Sequence, residues 1–540
     1  MKNLNSIVSI LNELLLIESF TNSCEEEKAS IWIEEFFKNI PYFAERPNLY
    51  GRYAVPKDPH DRSIPYGLIL GESKNTVVCM GHFDVVSVEE YGVFAPYAFK
   101  PDKLYDAFKN SEVNVSDEET LRDLNSGEWL FARGSADMKG GMAIQLALLQ
   151  SYAAEEDKPG NLLFIGVPDE ETYSAGMRAA LKLLCQLKEE HNLDYKLLIC
   201  PEPNICTDGK QVVSTGSVGK CMPVIMTQGV KAHVGRCFEG VSSVNMLTEI
   251  FRDTELSAKF IDSAMGQVSM PPCWTFLRDG KREYDVSMPY RSWGSLSIQS
   301  LDRTPDQILA MLKGTCQISL ERCMSNIEQA YNDCKQQATD FNAKKATYKP
   351  IVMTYDELML KLQDNTAFKK QYEATHKQVE EDFNAGKLNF AEATAVLMEV
   401  LLTHSCFQSP VVLIAFAPPY YPAANSSCEI DSYFNFLTSE AKKEGVMVLR
   451  EHYFTGISDL SYCAGVKPFN HSAYKCNTPM WGNAYSIDFN AMDIINIPSI
   501  ILGPWGKDLH KMTERVNIDS LTKIMPKIMD SLHNFIWKKQ

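Results

Sequence analysis

The 540-residue chain carries 53 Lys and Arg against 69 Asp and Glu, a formal charge of −16, with 45 % hydrophobic and 23 % charged residues. At about 150 residues per domain, that length allows three to four domains' worth of mass and at least two sizeable cores. A chain this acidic repels phosphate backbones at long range, and no basic stripe interrupts the field, which argues against nucleic acid as a partner.

The first twenty residues, MKNLNSIVSILNELLLIESF, set Glu13 and Glu18 among apolar positions without a small-residue cleavage site. They predict an amphipathic helix rather than a signal peptide. Up to about residue 210, helical patterns alternate with short apolar runs at 76–80, 162–167 and 197–200. That texture predicts an α/β architecture with a mainly parallel sheet.

After about Val213 the texture changes. Residues 294–301 alternate, with Leu296 and Ile298 between Ser295, Ser297 and Gln299, as in a half-exposed antiparallel strand. Thr304-Pro305-Asp306-Gln307 reads as a capping box with Pro at the first helical position, opening a helix through about Arg322. A strand followed by a surface helix suggests a second, α+β domain. Residues 325–403, rich in Lys, Glu, Gln, Asn and Ala, show helical periodicity and read as a helical insertion. The run 411–417, closed by Pro418-Pro419, predicts a buried strand, and 498–502 another. The first of these is the longest wholly apolar run and is far too short to span a bilayer. Fifteen cysteines, an odd number with no C-x-x-C pair, fit free thiols in a reducing compartment, so a cytoplasmic location with no membrane partner is expected.

In parallel α/β sheets, ligands bind in the crevice at the carboxyl ends of the strands, so the residues just after each apolar run carry the chemistry. TVVCM ends in Gly81-His82-Phe83-Asp84, LLFIGV in Pro168-Asp169-Glu170-Glu171, and LLIC in Pro201-Glu202. IPSIIL leads on to Asp508-Leu509-His510, and ARGSADMKGG sets Asp137 just before the helical pattern AIQLALLQ. Two histidines and three or four carboxylates in one crevice would be prohibitively anionic without cations. A pair of divalent metals resolves the excess. Imidazole with carboxylate and no thiolate suits Zn2+, with Co2+ or Mn2+ also compatible.

GHFDVV, ARGSADMKGG, PDEET, CPEP and DLHKMTE resemble, in order and spacing, the motifs of the zinc metallopeptidase family that includes aminoacylase, acetylornithine deacetylase, succinyl-diaminopimelate desuccinylase and the glutamate carboxypeptidases. These motifs cover residues 77–237 and 456–516. The ending, with GISDLSY, TPMWGNAYSIDF and ILGPWGKDLHKMTERV, is similar to a long, arginine-utilisation branch of that family. The resemblance implies a mainly parallel-sheet di-zinc peptidase catalytic domain built from 1–214 and 420–540. An inserted α+β lid or dimerisation-like domain, 215–419, would be enlarged by the helical insertion at about 325–408.

Carried over residue by residue, the resemblance makes His82 and Glu202 ligands of one metal, Glu171 and His510 ligands of the other, and Asp137 the bridge between them. Glu170 becomes the general base, Asp84 the residue that orients the site, and Asp137-Met138 a cis peptide under functional strain. In GVKAHVG, His233 matches a lid histidine that stabilises an oxyanion. Dimeric relatives take it from the partner subunit, whereas here the helical insertion could supply that contact within one chain, so monomer and homodimer both remain open. Arg236, Arg291 and Arg303, with Asp459 in Ser458-Asp459, are candidates to hold a substrate carboxylate. Glu514 either holds the His510 imidazole or is a helix-face charge, and Trp481 and Gly482 either shape the pocket mouth or, for Trp481, belong to the core. The remaining histidines show no ligand spacing.

The implied activity is hydrolysis of the amide bond in an N-acyl amino acid or short peptide, related to arginine or ornithine, by a metal-bridging water that Glu170 activates. The alternatives are a dipeptidase or carboxypeptidase of other specificity, or a binding or regulatory member that keeps the fold. Two departures stand out: Asp-Glu-Glu is followed by Thr-Tyr-Ser-Ala-Gly with no immediate glycine, and the second domain is enlarged.

Overall fold

The computed structural model describes residues 4–110, 115, 117–205, 209–281, 283–338, 340–426, 430–463 and 471–539. It divides into two compact units, one of Met1–Ser217, Ala424–Val466 and Ile487–Gln540, the other of Val218–Ala423 with Lys467–Ser486.

The first unit is built on an eight-stranded sheet in the order Tyr50–Ala54, Ser63–Ile69, Asn161–Val167, Asn75–His82, Asp194–Cys200, Ser499–Ile501, Lys210–Ser214, Met447–Glu451. The four central strands from Asn161–Val167 to Ser499–Ile501 run parallel, and the edge pair Tyr50–Ala54 and Ser63–Ile69 runs antiparallel. Every residue of Asn161–Val167 is buried, because helices cover both faces of a parallel sheet and leave no solvated side for polar residues. Glu26–Lys38 and Ala175–Glu190 pack on Ser63–Ile69, while Lys139–Ala153 and Met525–Lys538 pack on Asn75–His82. The register sets His82 opposite Val167 and Cys79 opposite Ile199, so these strands finish level at one edge. Gly141 lets a helix close on that edge: a Cβ there would lie 2.3 Å from the Pro201 carbonyl oxygen.

The second unit has a five-stranded sheet ordered Cys273–Asp279, Arg291–Ser300, Gly219–Gln228, Val411–Tyr421, Ile351–Thr354, antiparallel except for its last pair. Ser243–Thr254 packs on Gly219–Gln228 and Arg291–Ser300, and Phe390–Ser405 on Gly219–Gln228 and Val411–Tyr421. Among the described residues no helix is long and apolar enough to cross a membrane.

Four features differ from the sequence reading. The capped helix, in which Gln307 Oε1 accepts from Thr304 N at 3.0 Å, runs on to Gln337 rather than Arg322, since no Gly or Pro stands between Arg322 and Gln337. Within the helical insertion, Ile351–Thr354 is a strand pairing parallel with Val411–Tyr421. Four residues are too few to display an alternation, and the capping box of Thr354 and Glu357 starts the next helix at once. Pro418-Pro419 does not close the late strand, which continues through an irregularity to Tyr421. Residues 471–486 lie with the second unit: Tyr485 Oη accepts from Tyr420 N at 2.9 Å, Phe416 N donates to the Asn477 carbonyl at 2.7 Å, and Trp481 packs edge-on to Tyr474 and Tyr485.

Candidate metal centre

The level strand ends deliver four of the groups. His82 closes its strand, Glu170 and Glu171 follow Val167, and Glu202 follows Cys200 by two residues. Asp137 precedes the helix Lys139–Ala153, and the Asp137–Met138 peptide is cis. His510 comes from far along the chain. The strands Gly506–Lys507 and Arg515–Asn517 pair with each other, Arg515–Asn517 pairs with Trp129–Phe131, and the intervening loop thereby returns beside Asp137.

The result is two triads that share one carboxylate. His82, Asp137 and Glu202 form one and Asp137, Glu171 and His510 the other, with the donor atoms of each triad within 4.8 Å of one another. His82 Nε2 lies 3.1 Å from Asp137 Oδ1 and 3.8 Å from Glu202 Oε1. His510 Nε2 lies 3.3 Å from Asp137 Oδ2 and 3.1 Å from Glu171 Oε1. Glu170 Oε2 stands 4.0 Å from His82 Nε2. The other ring nitrogen of His82 is engaged by Asp84, 3.1 Å from its carbonyl oxygen and 3.4 Å from Oδ1, which turns Nε2 toward the centre. The same Asp84 carboxylate accepts from Glu170 N and Glu171 N, each at 3.1 Å.

Burial drives the electrostatics. Burial, then the carboxylates of Glu202, Asp459 and Glu171, lifts Glu170 well above the usual carboxylate range, and burial with Asp137 does the same to Glu202. Hydrogen bonds to Asp137 and Glu171 raise His510 to about 10. Burial opposes the charge on His82, but Asp137 and Asp84 outweigh it and hold its imidazole well above the usual range. Asp459 is buried and pushed up to about 7. Several carboxylates buried this close together repel one another, and divalent ions bound among them would relieve that repulsion. Imidazole and carboxylate donors without thiolate, arranged about one shared carboxylate, fit two such ions.

The sequence profile of Peptidase family M20/M25/M40 matches residues 78–530. The chain belongs to this family. It is 30 % identical over 538 residues to the uncharacterized protein YqjN of Bacillus subtilis (strain 168), spanning 97 % of this chain and 95 % of that one. It is 27 % identical over 527 residues to protein RocB of the same organism, spanning 94 % and 91 %. Among solved structures it is similar to a tripeptidase of Staphylococcus aureus, with a TM-score of 0.54 at 12 % identity and 99 % of each chain covered. It is also similar to an M20 metallo-carboxypeptidase of Sulfolobus solfataricus, with a TM-score of 0.53 at 11 % identity, covering 99 % of this chain and 100 % of that one. At such identities the likeness is one of fold. This M20 chain is a hydrolase with the α/β peptidase fold.

Three buried charged residues in this M20 structure have partners that the sequence did not suggest. Glu514 neither holds the His510 imidazole nor decorates a helix face. Its Oε1 accepts from Ala136 N at 3.1 Å and Asp137 N at 3.2 Å, its Oε2 pairs with Arg133 Nη1 at 2.6 Å, and burial lifts it to about 7. Glu26 and Arg62, which no motif marked, grip the Asp169 end of the Glu170–Glu171 loop. The signal was absent because a lone Glu or Arg in a polar stretch is the commonest kind of surface residue.

The remaining candidates lie in the second unit. His233 Nδ1 accepts from Gly235 N at 3.0 Å on an exposed turn. Arg236, three residues on, is exposed and 4.0 Å from Glu239. Arg291 donates to Gln228 Oε1 at 2.9 Å and Thr403 Oγ1 at 3.0 Å. Arg303 donates to the Phe260 carbonyl at 2.9 Å and lies 3.6 Å from Asp262.

Proposed function

We propose that this chain hydrolyses the amide bond of an N-acyl amino acid or short peptide, using two divalent metal ions, zinc before cobalt or manganese. His82 and Glu202 would hold one ion and Glu171 and His510 the other, with Asp137 between them. The observation that carries this reading is the Asp137 carboxylate, whose two oxygens each face a different imidazole, at 3.1 and 3.3 Å. When bound, the ions supply Lewis-acid polarisation of the scissile carbonyl and a more acidic water.

The residues of the chain supply the rest. Glu170 takes the proton of the attacking water on a carboxylate oxygen and returns it to the leaving nitrogen as the C–N bond breaks. Its upward shift by burial suits a group that must hold that proton in between. Asp84 fixes Glu170 relative to Glu171 by holding both amides, so base and ligand keep their spacing. His233 is the residue we assign to the developing oxyanion, and Arg236 in the same turn, with Arg291 and Asp459, to substrate recognition, whereas the Arg303 guanidinium is taken up by the Phe260 carbonyl and Asp262. The arginine-utilisation-like ending supports an arginine- or ornithine-related acyl group or side chain. The thiols of the thirteen described cysteines, all free, support a cytoplasmic site of action.

Metal analysis combined with amine release from a panel of N-acyl amino acids and a panel of dipeptides tests the proposal. Two equivalents of metal and chelator-sensitive hydrolysis in either panel are expected, and the more active panel names the substrate class. Hydrolysis unchanged by chelation and reconstitution, across both panels, overturns it.

A further inference from the structure

Three consecutive amides in the loop that carries Glu170 and Glu171 donate to buried carboxylates from outside the loop. Glu170 N and Glu171 N go to Asp84, and Asp169 N goes to Glu26 Oε2 at 2.7 Å. Glu26 does not act alone. Its Oε1 accepts from Arg62 Nη1 at 2.6 Å, and the same Nη1 lies 2.9 Å from Asp169 Oδ1. Asp58 closes the fork from the other side, taking Arg62 Nε at 2.9 Å and Nη2 at 2.6 Å. Asp169 in turn accepts from Thr172 Oγ1 at 2.6 Å and Ala175 N at 3.0 Å, so it ties the start of the loop to its end. Arg62 is 2 % exposed, Glu26 fully buried and Asp169 1 % exposed. Asp169 holds φ at +71°, a conformation that needs outside support in a residue other than glycine.

We propose that Glu26 and Arg62 are positioning residues of the hydrolytic site: a buried clamp, remote in sequence from every motif, that sets where Glu170 and Glu171 stand. The inference rests on the proposed roles of those two glutamates. It accounts for a departure from the family pattern, since the loop has no glycine directly after Asp-Glu-Glu and its turn is held by side chains instead. A guanidinium with donors in a fixed fork can reach two carboxylates and fix their separation, which the single point of a lysine ammonium cannot.

The test measures Co2+ binding by titration, the visible spectrum of the bound Co2+, and kcat and KM separately on the best substrate of the panels, in full-length protein. Wild type must first bind two Co2+; if it does not, the di-metal reading fails before the clamp is tested. Glu26→Ala and Arg62→Lys are each expected to weaken the second Co2+ by about 10- to 100-fold and alter its spectrum while the first is retained. They are also expected to lower kcat by about 100-fold with KM nearly unchanged, as for a misplaced base. Glu26→Gln keeps an oxygen for Asp169 N and is expected to restore most of both. The clamp is overturned if Glu26→Ala and Arg62→Lys match wild type in the second Co2+ affinity, its spectrum and kcat, or if Glu26→Gln is as impaired as Glu26→Ala. Should Arg62→Lys fail to fold, the Glu26→Ala and Glu26→Gln pair decides by the same readouts. Should Glu26→Ala fail, Glu26→Gln is set against Asp58→Asn, which loosens the fork without touching the loop and is expected to show a weaker form of the same defects; wild-type values for Asp58→Asn overturn the clamp.

Discussion

Glu514→Ala separates an anchoring role from a surface one. In the folded protein Glu514 accepts from two amides, Ala136 N and Asp137 N, and pairs with Arg133, all three being buried. Removing the carboxylate strands one end of the Arg133 guanidinium, and breaking a buried ion pair from one side costs about 3–5 kcal/mol. Each amide left without an acceptor would cost about 1–3 kcal/mol if counted alone. The three bonds belong to one network, however, and Arg133 keeps Glu90 as a half-exposed partner, so the terms do not add. A net loss of about 4 kcal/mol is the expected outcome, a large fraction of a typical stability of roughly 5–15 kcal/mol. Glu514→Gln keeps an oxygen for the amides and loses the charge, so about 2 kcal/mol is expected. Urea unfolding of chelated protein measures both without a metal contribution to stability. Metal titration then tests the functional consequence: because Asp137 is common to both triads, both ions should weaken together. If Glu514→Ala unfolds with the wild-type midpoint and slope, or binds both metals with wild-type affinity, the anchoring argument is wrong.

Glu170→Gln should lower turnover by about 100-fold or more while metal content stays at the wild-type level, read by elemental analysis beside the rate assay; parallel loss of metal would remove Glu170 from the base role. His533 is buried near Cys79, and burial alone holds its imidazole down at about 4. Above about pH 6.5 the residue is neutral folded or unfolded, but between about 6.5 and 4 the unfolded chain gains a proton that the folded one refuses, so stability falls with acid by up to about 3 kcal/mol. Urea unfolding of wild type and His533→Leu at about pH 7 and 4.5 should show a shallower acid loss in the variant, and equal losses would contradict the shift. Arg303→Ala should lower stability and leave KM unchanged, because its guanidinium serves Phe260 and Asp262, whereas Arg236→Ala should raise KM and leave the unfolding midpoint unchanged; unfolding curves and substrate titration read the two apart.

The residues of the centre were legible because a parallel sheet aligns its strand ends. Once three apolar runs were recognised, the residues that follow them, His82, Glu170, Glu171 and Glu202, had to share an edge, and the structure brings them together there. His510 stands well beyond the apolar run that leads to it, and no local pattern reveals that its loop returns to Trp129–Phe131 through a three-stranded ladder. What stayed hidden depends on pairing across long separations: the four-residue strand Ile351–Thr354, whose nature is set by Val411–Tyr421, and the partners of Glu26, Arg62 and Glu514. A charged residue gives no sign in sequence of whether it will be buried, because burial depends on the opposite charge that meets it, 36 residues away for Arg62 and Glu26 and 381 for Glu514 and Arg133.

These hidden partners repeat one device on two loops of the centre. On the Asp137 side, Arg133 fixes Glu514, which accepts the amides of Ala136 and Asp137; on the Glu170–Glu171 side, Arg62 fixes Glu26, which accepts the amide of Asp169. In each, an arginine neutralises a buried carboxylate whose second oxygen holds backbone. The device answers a problem set by the centre itself. Loops that carry several like charges repel one another, and a loop free to relax would spread its carboxylates and lose the short approaches about Asp137. Holding the backbone by buried hydrogen bonds instead of by the metal places the ordering cost in the fold, so that a divalent ion meets donors already gathered and its affinity is not spent on collecting them.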